Sequence, residues 1–399
     1  MDSDPISRPK ALLLLPPPPS PSFDEFQQAY GAALSTVCSK LSQTLAGANS
    51  KALLHIAVSI PDALSFSFQN RARVFPYLQH FLATLYKLIG IISAEENIEL
   101  DVTGGLDTRV FFLDYDPVES FSQPIRTSQY GPIVDLKSLA NCGRDWDCVY
   151  YLENKTGRHL ATSFSSHSSA TMHPVPAGAD WNRSELSHRP DHMQPSEPHY
   201  SVAVGGTFDH FHLGHKLLLT ATALTLEPVS DTDSDTERVI TIGVTVDELL
   251  ANKKYAEYLE TWNERCNSVE SFLIDIIDFV PLENDAPRIQ RVSQPGPNGE
   301  YILMKLKSDL SLKLVQLSDP FGPTITEESI SALIVSKETS KGGAAVNAER
   351  EKKGFKDLDV FEVDLIHSGN VSSVDVEKTF ESKISSTEIR RRQADLAKR

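Results

Sequence analysis

The chain of 399 residues is poor in cysteine, with only four: Cys38, Cys142, Cys148 and Cys266. No two of them form a CxxC pair, and Cys142 and Cys148 stand wider apart than structural zinc sites require. Neither a disulfide-stapled fold nor a zinc-held one is expected, which leaves reduced thiols. Long hydrophobic runs are also missing. The apolar stretch Ala11 to Leu15 falls far short of the ~20 residues that a membrane span needs. The N-terminus has no basic segment and no small-residue cleavage site of the kind secretory leaders carry. Positive charge is scarce: 38 lysines and arginines face 54 aspartates and glutamates, a net charge of -16. Such a surface repels nucleic-acid backbones and anionic lipid. Neither nucleic acid nor a membrane is expected as a partner, and any basic groups that hold phosphates have to be local. The expected location is the cytoplasm, with the nucleus also open. Internal repeats are absent, and so is a GxxxxGK[ST] phosphate-binding loop.

What is present is enough apolar side chain, 40% of residues, for at least one sizeable core. The length suggests about two or three domains. Residues 1–22, with Pro16 to Pro19, read as a disordered proline-rich tail. Residues 23–152 read as a smaller α/β domain. It has helical spacing from Phe23 to Ala46 and a strand from Lys51 to Ile60. An apolar helix from Tyr77 to Ile92 follows, then strands at Val110 to Tyr115 and Trp146 to Leu152. Residues 153–199 are rich in Ser, His, Pro and Gly and read as a flexible linker. His188, His192 and His199 fall there, as solvated polar groups. From Tyr200 to Arg399, strands and helices alternate, which predicts an α/β, doubly wound parallel sheet. Residues 284–300 read as a surface insertion within it.

The strand Tyr200–Val204 runs into Gly205-Gly206-Thr207-Phe208-Asp209-His210-Phe211-His212-Leu213-Gly214-His215 and then into an apolar helix. Ligands of doubly wound sheets bind beyond the carboxyl ends of the strands, where Gly205 and Gly206 stand. Without side chains, they let the backbone approach a phosphate or ribose closely. His212 and His215 are three apart and share one face of the helix start. The free N–H groups and dipole of that helix end also favour anions. These parts suit in-line displacement at an α-phosphate, in which positioning and charge stabilisation carry the rate. The attacking phosphate is already ionised, so the histidines read as phosphate-holding groups rather than as acid-base catalysts.

A second motif lies near the C-terminus, Lys383-Ile384-Ser385-Ser386-Thr387-Glu388-Ile389-Arg390. Ser385 and Glu388 have capping-box spacing. The same helix start offers hydroxyls and N–H groups to a polyphosphate. Ser385, Ser386, Thr387 and Arg390 are therefore candidates for its β- and γ-phosphates.

Together, GTFDHFHLGH and ISSTEIR resemble the HxGH nucleotidyltransferase superfamily, whose fold is Rossmann-like. The tracts GVTVDELLANKKYAEYLETWNERCNSVESFL and LSDPFGPTITEESISALIVSKETSKGGAAVNAEREKKGF resemble the eukaryotic and archaeal phosphopantetheine adenylyltransferases. The likeness covers residues 200–399. It implies transfer of AMP from ATP to 4'-phosphopantetheine, giving dephospho-coenzyme A and pyrophosphate, with Mg2+ on the phosphates. By the same resemblance Thr207 binds the acceptor phosphate, His215 the α-phosphate, and His212 assists. Lys253 or Lys254 clamps both reacting phosphates. Gly205, Gly206, Phe208 and Asp209 lie on the nucleotide side, with Asp209 anchoring the turn. Lys337 stands where bacterial members carry an arginine-containing motif, which opens substrate-side roles for Lys337, Asn347 and Arg350. No protein-held metal is implied. The absence of a kinase loop suggests a monofunctional, fungal-like form. A nicotinamide-mononucleotide adenylyltransferase, a cytidylyltransferase, and a scaffold for other coenzyme A-synthesising enzymes are the alternatives.

Overall fold

The computed structural model describes residues 8–20, 22–45, 50–65, 70–116, 128–178, 197–228, 236–281, 288–296, 298–364, 366 and 374–398. Its first sheet is built from β1 (Lys10–Leu15), β2 (Ala52–Ser59), β3 (Leu106–Asp114), β4 (Ile133–Asp135), β5 (Cys148–Leu152) and β6 (Met172–Val175). All pair in parallel, in the order β4-β3-β2-β1-β5-β6. Helices α1 (Phe23–Thr44) and α2 (Arg71–Glu95) cover one face; α3 (Leu136–Asn141) and α4 (Lys155–Ser165) cover the other.

This arrangement corrects the reading of residues 1–22 as a disordered tail. Lys10–Leu15 is a central strand, and Ala11 through Leu15 are all buried. Leu13 and Leu15 join the α1/α2 side, while Leu12 and Leu14 join the α3/α4 side. A parallel strand buried on both faces reads as an unbroken apolar run, and five residues suffice. The prolines that follow end the strand, and the Tyr30 hydroxyl donates to the Pro16 carbonyl at 2.6 Å.

The linker expected over 153–199 is also corrected in its first half. Asn154 caps α4 by accepting from the Gly157 N–H at 2.8 Å. Leu160, Ala161 and Phe164 lie buried on one face of the helix. Its other face carries Arg158, His159, Thr162 and Ser165, whose polarity resembles a linker. Residues 172–175 then add the edge strand β6. His188 and His192 lie outside the described residues. His199 is buried, with Nδ1 2.9 Å from Ser331 Oγ.

The second sheet contains β7 (Ser201–Gly206), β8 (Arg238–Thr245), β9 (Arg288–Gly296), β10 (Gly299–Lys307), β11 (Leu310–Leu317), β12 (Ala332–Ser336) and β13 (Asp359–Val363). The order is β13-β12-β7-β8-β11-β10-β9. The first five strands of that order are parallel, as expected of a doubly wound fold. The segment read as a surface insertion is instead an antiparallel hairpin, β9 and β10, that extends the sheet. Its Pro and Gly content marks an edge and a turn rather than a loop. Helices α5 (Leu213–Thr225), α6 (Asp247–Leu250), α7 (Trp262–Ile277), α8 (Ser340–Lys353), α9 (Val374–Lys383) and α10 (Ser386–Ala397) complete the domain. No helix of the described residues is long and apolar enough to cross a membrane.

The two domains share one core. Phe81, Leu85 and Leu88 of α2 belong to the same buried cluster as Leu213, Leu217 and Leu224 of α5. Polar contacts fix the register of that contact. Glu227, just after α5, accepts from the backbone N–H groups of Asn70 (2.7 Å) and Arg71 (2.6 Å). A carboxylate at a helix N-terminus satisfies orphan donors and meets the positive end of the dipole. On the other side, Asp275 of α7 lies 2.6 Å from His55 and 2.9 Å from Arg109.

Candidate functional site

In the second sheet, the neighbouring strands β7 and β12 lead the chain away in opposite directions, making a topological switch point. Crevices at such points take ligands. Gly206 and Ser336 end these strands. Beyond Gly206 the chain turns sharply, with Phe208 (φ 54°) and His210 (φ 45°) in the left-handed region. A Cβ on Gly206 would meet the Phe208 ring at 2.9 Å, so the turn closes only over glycine there. The Phe208 ring is buried beside His215 at 5.5 Å. It therefore packs under the site instead of lining it, although it was a candidate for contacting nucleotide.

Three clamps hold the turn. Oδ1 of Asp209 accepts from the Glu260 N–H at 3.0 Å, and its carboxylate pairs with Arg390. The His210 N–H donates to Glu260 at 2.8 Å. Behind them Arg265, 0% exposed, donates to the carbonyls of Thr207 (2.7 Å) and Glu260 (3.0 Å) and pairs with Asp247. Arg265 was not among the sequence candidates. Its signal was the capping box of Thr261 and Glu264, which starts α7 and aims its first turn at the glycine loop.

His212 is the N-cap residue of α5, yet its side chain caps nothing. Its ring stacks on that of His215, with centroids 3.8 Å apart and planes 16° from parallel. Phe211 flanks His215 at 5.7 Å. Burial, then the nearby Lys216 charge, pushes His212 down to about 3. Burial, then His212 itself, holds His215 well below its ordinary value. Two stacked imidazoles cannot both carry charge at this distance. Burial, which lowers both, favours the neutral form of each ring, with one N–H to donate. The Nδ1 atoms of both are buried and without a partner among the described residues. On the far side, Nε2 of His212 is 3.3 Å from Ser386 Oγ, which donates to the Asp209 carbonyl at 2.7 Å. The two motifs, far apart in sequence, therefore meet.

The expected capping box at the start of α10 does not form. Ser385 makes no side-chain cap bond, and Glu388 pairs with Arg391 at 2.7 Å. An Arg three residues on competes for the glutamate, which leaves the Ser385 hydroxyl and the first N–H groups of α10 available. Arg390 is buried and committed to Asp209, to the Lys254 carbonyl (3.1 Å) and to Thr387 Oγ1 (3.3 Å). It seats α10 against the glycine turn, so its guanidinium is occupied there and not free for the polyphosphate it was a candidate to hold. Lys253 and Lys254 are exposed on the loop held by Arg390 and make no ion pair among the described residues. Lys337 is exposed just past β12, across the switch point from Gly206. Thr207, partly exposed, directly follows Gly206 in the turn that leads to His212. Asn347 and Arg350 have structural work elsewhere. Asn347 clips Leu358 through both its amide atoms, and Arg350 donates to carbonyls of Thr324, Glu328, Ile330 and Lys356.

The residue after His215 reaches into the other domain. Lys216 is buried on α5, with its Nζ 2.5 Å from Asp101, 2.8 Å from Asp107 and 2.9 Å from the Thr108 carbonyl. Arg8 and Arg109 pair with the same Asp107 at 2.6 and 2.9 Å. A local reading of the sequence has no signal for partners this distant. Among the described residues no group of three or more His, Cys, Asp or Glu is arranged to hold a metal ion.

The family model described as "Cytidylyltransferase-like" matches residues 203–392, and a domain of unknown function matches residues 1–180. An uncharacterized protein of Schizosaccharomyces pombe is 31% identical over 277 residues, 67% of this chain and 71% of that protein. A phosphopantetheine adenylyltransferase of Saccharomyces cerevisiae is 36% identical over 190 residues, 48% of this chain and 47% of its own length. One from Methanothermobacter thermautotrophicus is 30% identical over 194 residues, 49% of this chain and 85% of that protein. The first match runs across both domains; the other two cover about half of this chain.

Proposed function

We propose that this chain, which belongs to the cytidylyltransferase-like family of nucleotidyltransferases, transfers AMP from ATP to 4'-phosphopantetheine. The observation that carries the reading is the meeting of the stacked, neutral His212–His215 pair with Ser386 at the start of α10. The names of the yeast and archaeal relatives support the choice of acceptor.

In this reading the acceptor phosphate attacks the α-phosphate of ATP in line, forming the new P–O bond as the bond to pyrophosphate breaks. No protein base is needed, since the attacking oxygen is already ionised. Thr207 and one of Lys253 and Lys254 hold the acceptor phosphate. His215 donates to the α-phosphate and His212 assists from beneath. Ser385, Ser386 and Thr387, with the free N–H groups of α10, receive the β- and γ-phosphates. Gly205 and Gly206 let the nucleotide lie close to the backbone, and Lys337 faces the substrate from the end of β12. Arg390 and Asp209 act by holding α10 on the turn. Mg2+ fits as a companion of the ATP phosphates rather than as a protein-held ion. The nearby carboxylates of Asp209 and Glu260 already serve Arg390 and the His210 N–H. When bound, it would offset the polyphosphate charge.

The test is to incubate the purified protein with ATP and Mg2+ and offer 4'-phosphopantetheine, nicotinamide mononucleotide or no acceptor. Pyrophosphate release with phosphopantetheine alone is expected. Release with nicotinamide mononucleotide alone would make the chain a different member of the family.

A further inference from the structure

A cavity of about 740 Å3 lies where the two domains meet. The N-terminal domain contributes Arg8, Ser50, Lys51 and Asp101 to its walls, and the C-terminal domain contributes His212 and Lys383. Four buried polar atoms on these walls have no hydrogen-bond partner among the described residues: Nε of Arg8, Oγ of Ser50, Oδ2 of Asp101 and Nδ1 of His212. Such atoms are uncommon in folded proteins, and these four belong to residues that line one space. A water occupies roughly 30 Å3 of liquid, so the volume exceeds what one bridging water fills and matches small-molecule pockets.

The charges select the class of ligand. Neither Lys51 nor Lys383 forms an ion pair among the described residues. Lys51 Nζ donates to the Asp101 carbonyl at 2.6 Å. Lys383 Nζ donates to the carbonyls of Ser93, at 3.0 Å, and Ile98. Lys383 is only 6% exposed, and burial lowers its ammonium to about 8. Arg8 and Arg109 differ, since both pair with Asp107. The chain carries a net charge of -16, yet here two ammonium groups, one per domain, have backbone carbonyls as their hydrogen-bond partners, while Asp101 and Glu99 act on them electrostatically without forming an ion pair. Lys51 is half-buried and Lys383 buried, and a buried cation hydrogen-bonded to no carboxylate is stabilised when an anion joins it.

We propose that this cavity takes the anionic end of a phosphate-bearing substrate, with Lys51 and Lys383 as its cationic holds and Ser50 as a hydroxyl donor. The inference rests on the nucleotidyltransferase reading, because the same cavity reaches His212. It assigns the N-terminal domain a direct part in substrate binding. Lys51 is then a specificity residue supplied by a domain that carries none of the HxGH motif.

Initial rates of the full-length chain, with ATP and 4'-phosphopantetheine varied in turn, test this in Lys51→Ala, Lys51→Arg and Lys383→Met, with thermal unfolding measured on each. Lys51→Ala is expected to raise KM for one of the two substrates about tenfold or more, the scale of one lost charged hydrogen bond. Its kcat is expected to stay within about twofold of wild type, as for lost uniform binding. Lys51→Arg should recover most of the loss, and Lys383→Met should raise the same KM. Wild-type KM for both substrates in Lys51→Ala overturns the proposal. So does an effect confined to inhibition by added inorganic phosphate, which marks a separate effector site. If the wild-type chain transfers no AMP to any acceptor, the reading of the reaction fails instead. Calorimetric titration with ATP, 4'-phosphopantetheine and pyrophosphate then decides the cavity alone, and equal affinities in wild type and Lys51→Ala overturn it.

Discussion

The ammonium of Lys216 lies 2.8 Å from Oδ1 of Asp107, tying the helix that carries His215 to β3 of the other domain. Asp101 approaches the same ammonium at 2.5 Å. Burial pushes Asp107 upward, but Lys216 and Arg109 overcome this and hold it well below the usual carboxylate range. The helix that carries His215 and the N-terminal sheet therefore share a buried ionic joint.

Replacing that lysine should be costly. Lys216→Met leaves Asp101 and Asp107 buried beside an apolar chain, and breaking a buried pair in this way typically loses about 3–5 kcal/mol. Urea unfolding measures it. Adding Asp107→Asn should cost less than the sum of the two single changes, because the sites share one network. A loss below about 1 kcal/mol for Lys216→Met, the range of exposed pairs, would show that the joint is solvated.

His215→Ala removes one charge-stabilising donor from the proposed transition state. AMP transfer should fall by about a hundredfold or more, while the circular dichroism spectrum and unfolding midpoint stay near wild type. Turnover close to normal would remove His215 from the chemistry.

Stability should fall as the solution is acidified below neutrality. His212, at about 3, and His215, held well below its ordinary value, are neutral in the folded chain, whereas unfolded histidines titrate near ~6.5. Below that pH the unfolded chain takes up protons that the folded one refuses. Each ring then contributes a loss approaching ~1.4 kcal/mol per pH unit. For His212 the window runs from the unfolded value down toward about 3. Asp114, pushed up to about 6 by burial, acts in the opposite sense. The clean measurement is therefore the difference between wild type and His212→Asn, followed by denaturant midpoints from pH 7 to 5. Parallel profiles for the two chains would mean that the folded ring accepts a proton.

Leu13 lies in the middle of the N-terminal sheet, fully buried. Leu13→Ala should cost about 2–5 kcal/mol, the range for core leucines, which thermal unfolding reads directly. A disordered tail would tolerate the change with no shift in the midpoint.

Elements whose cause is local were legible in the sequence. The glycine turn after β7, the apolar helix behind it and the strand-helix alternation of residues 200–399 follow from periodicity and turn chemistry within short windows. The start of α10 was legible too, although its capping box was not, because Arg391 takes Glu388. The central strand Lys10–Leu15 was read as a tail because five apolar residues before a proline run carry no period. Only the surrounding sheet makes them a strand. Likewise α4 hid behind the polar face it turns to solvent.

The pairing of His212 with Ser386, and of Asp209 with Arg390, joins residues 174 and 181 positions apart. Lys216 and Asp107 are 109 apart. Charges and hydroxyls give no local periodic signal of their partners, and their neutrality or ionisation depends on burial that exists only once the sheets have packed. The turn and its paired histidines could thus be located from the sequence. The burial of its histidines, the anchoring of its loop and the ionic joint to the N-terminal domain were decided by the tertiary structure, where desolvation and long-range contacts first arise.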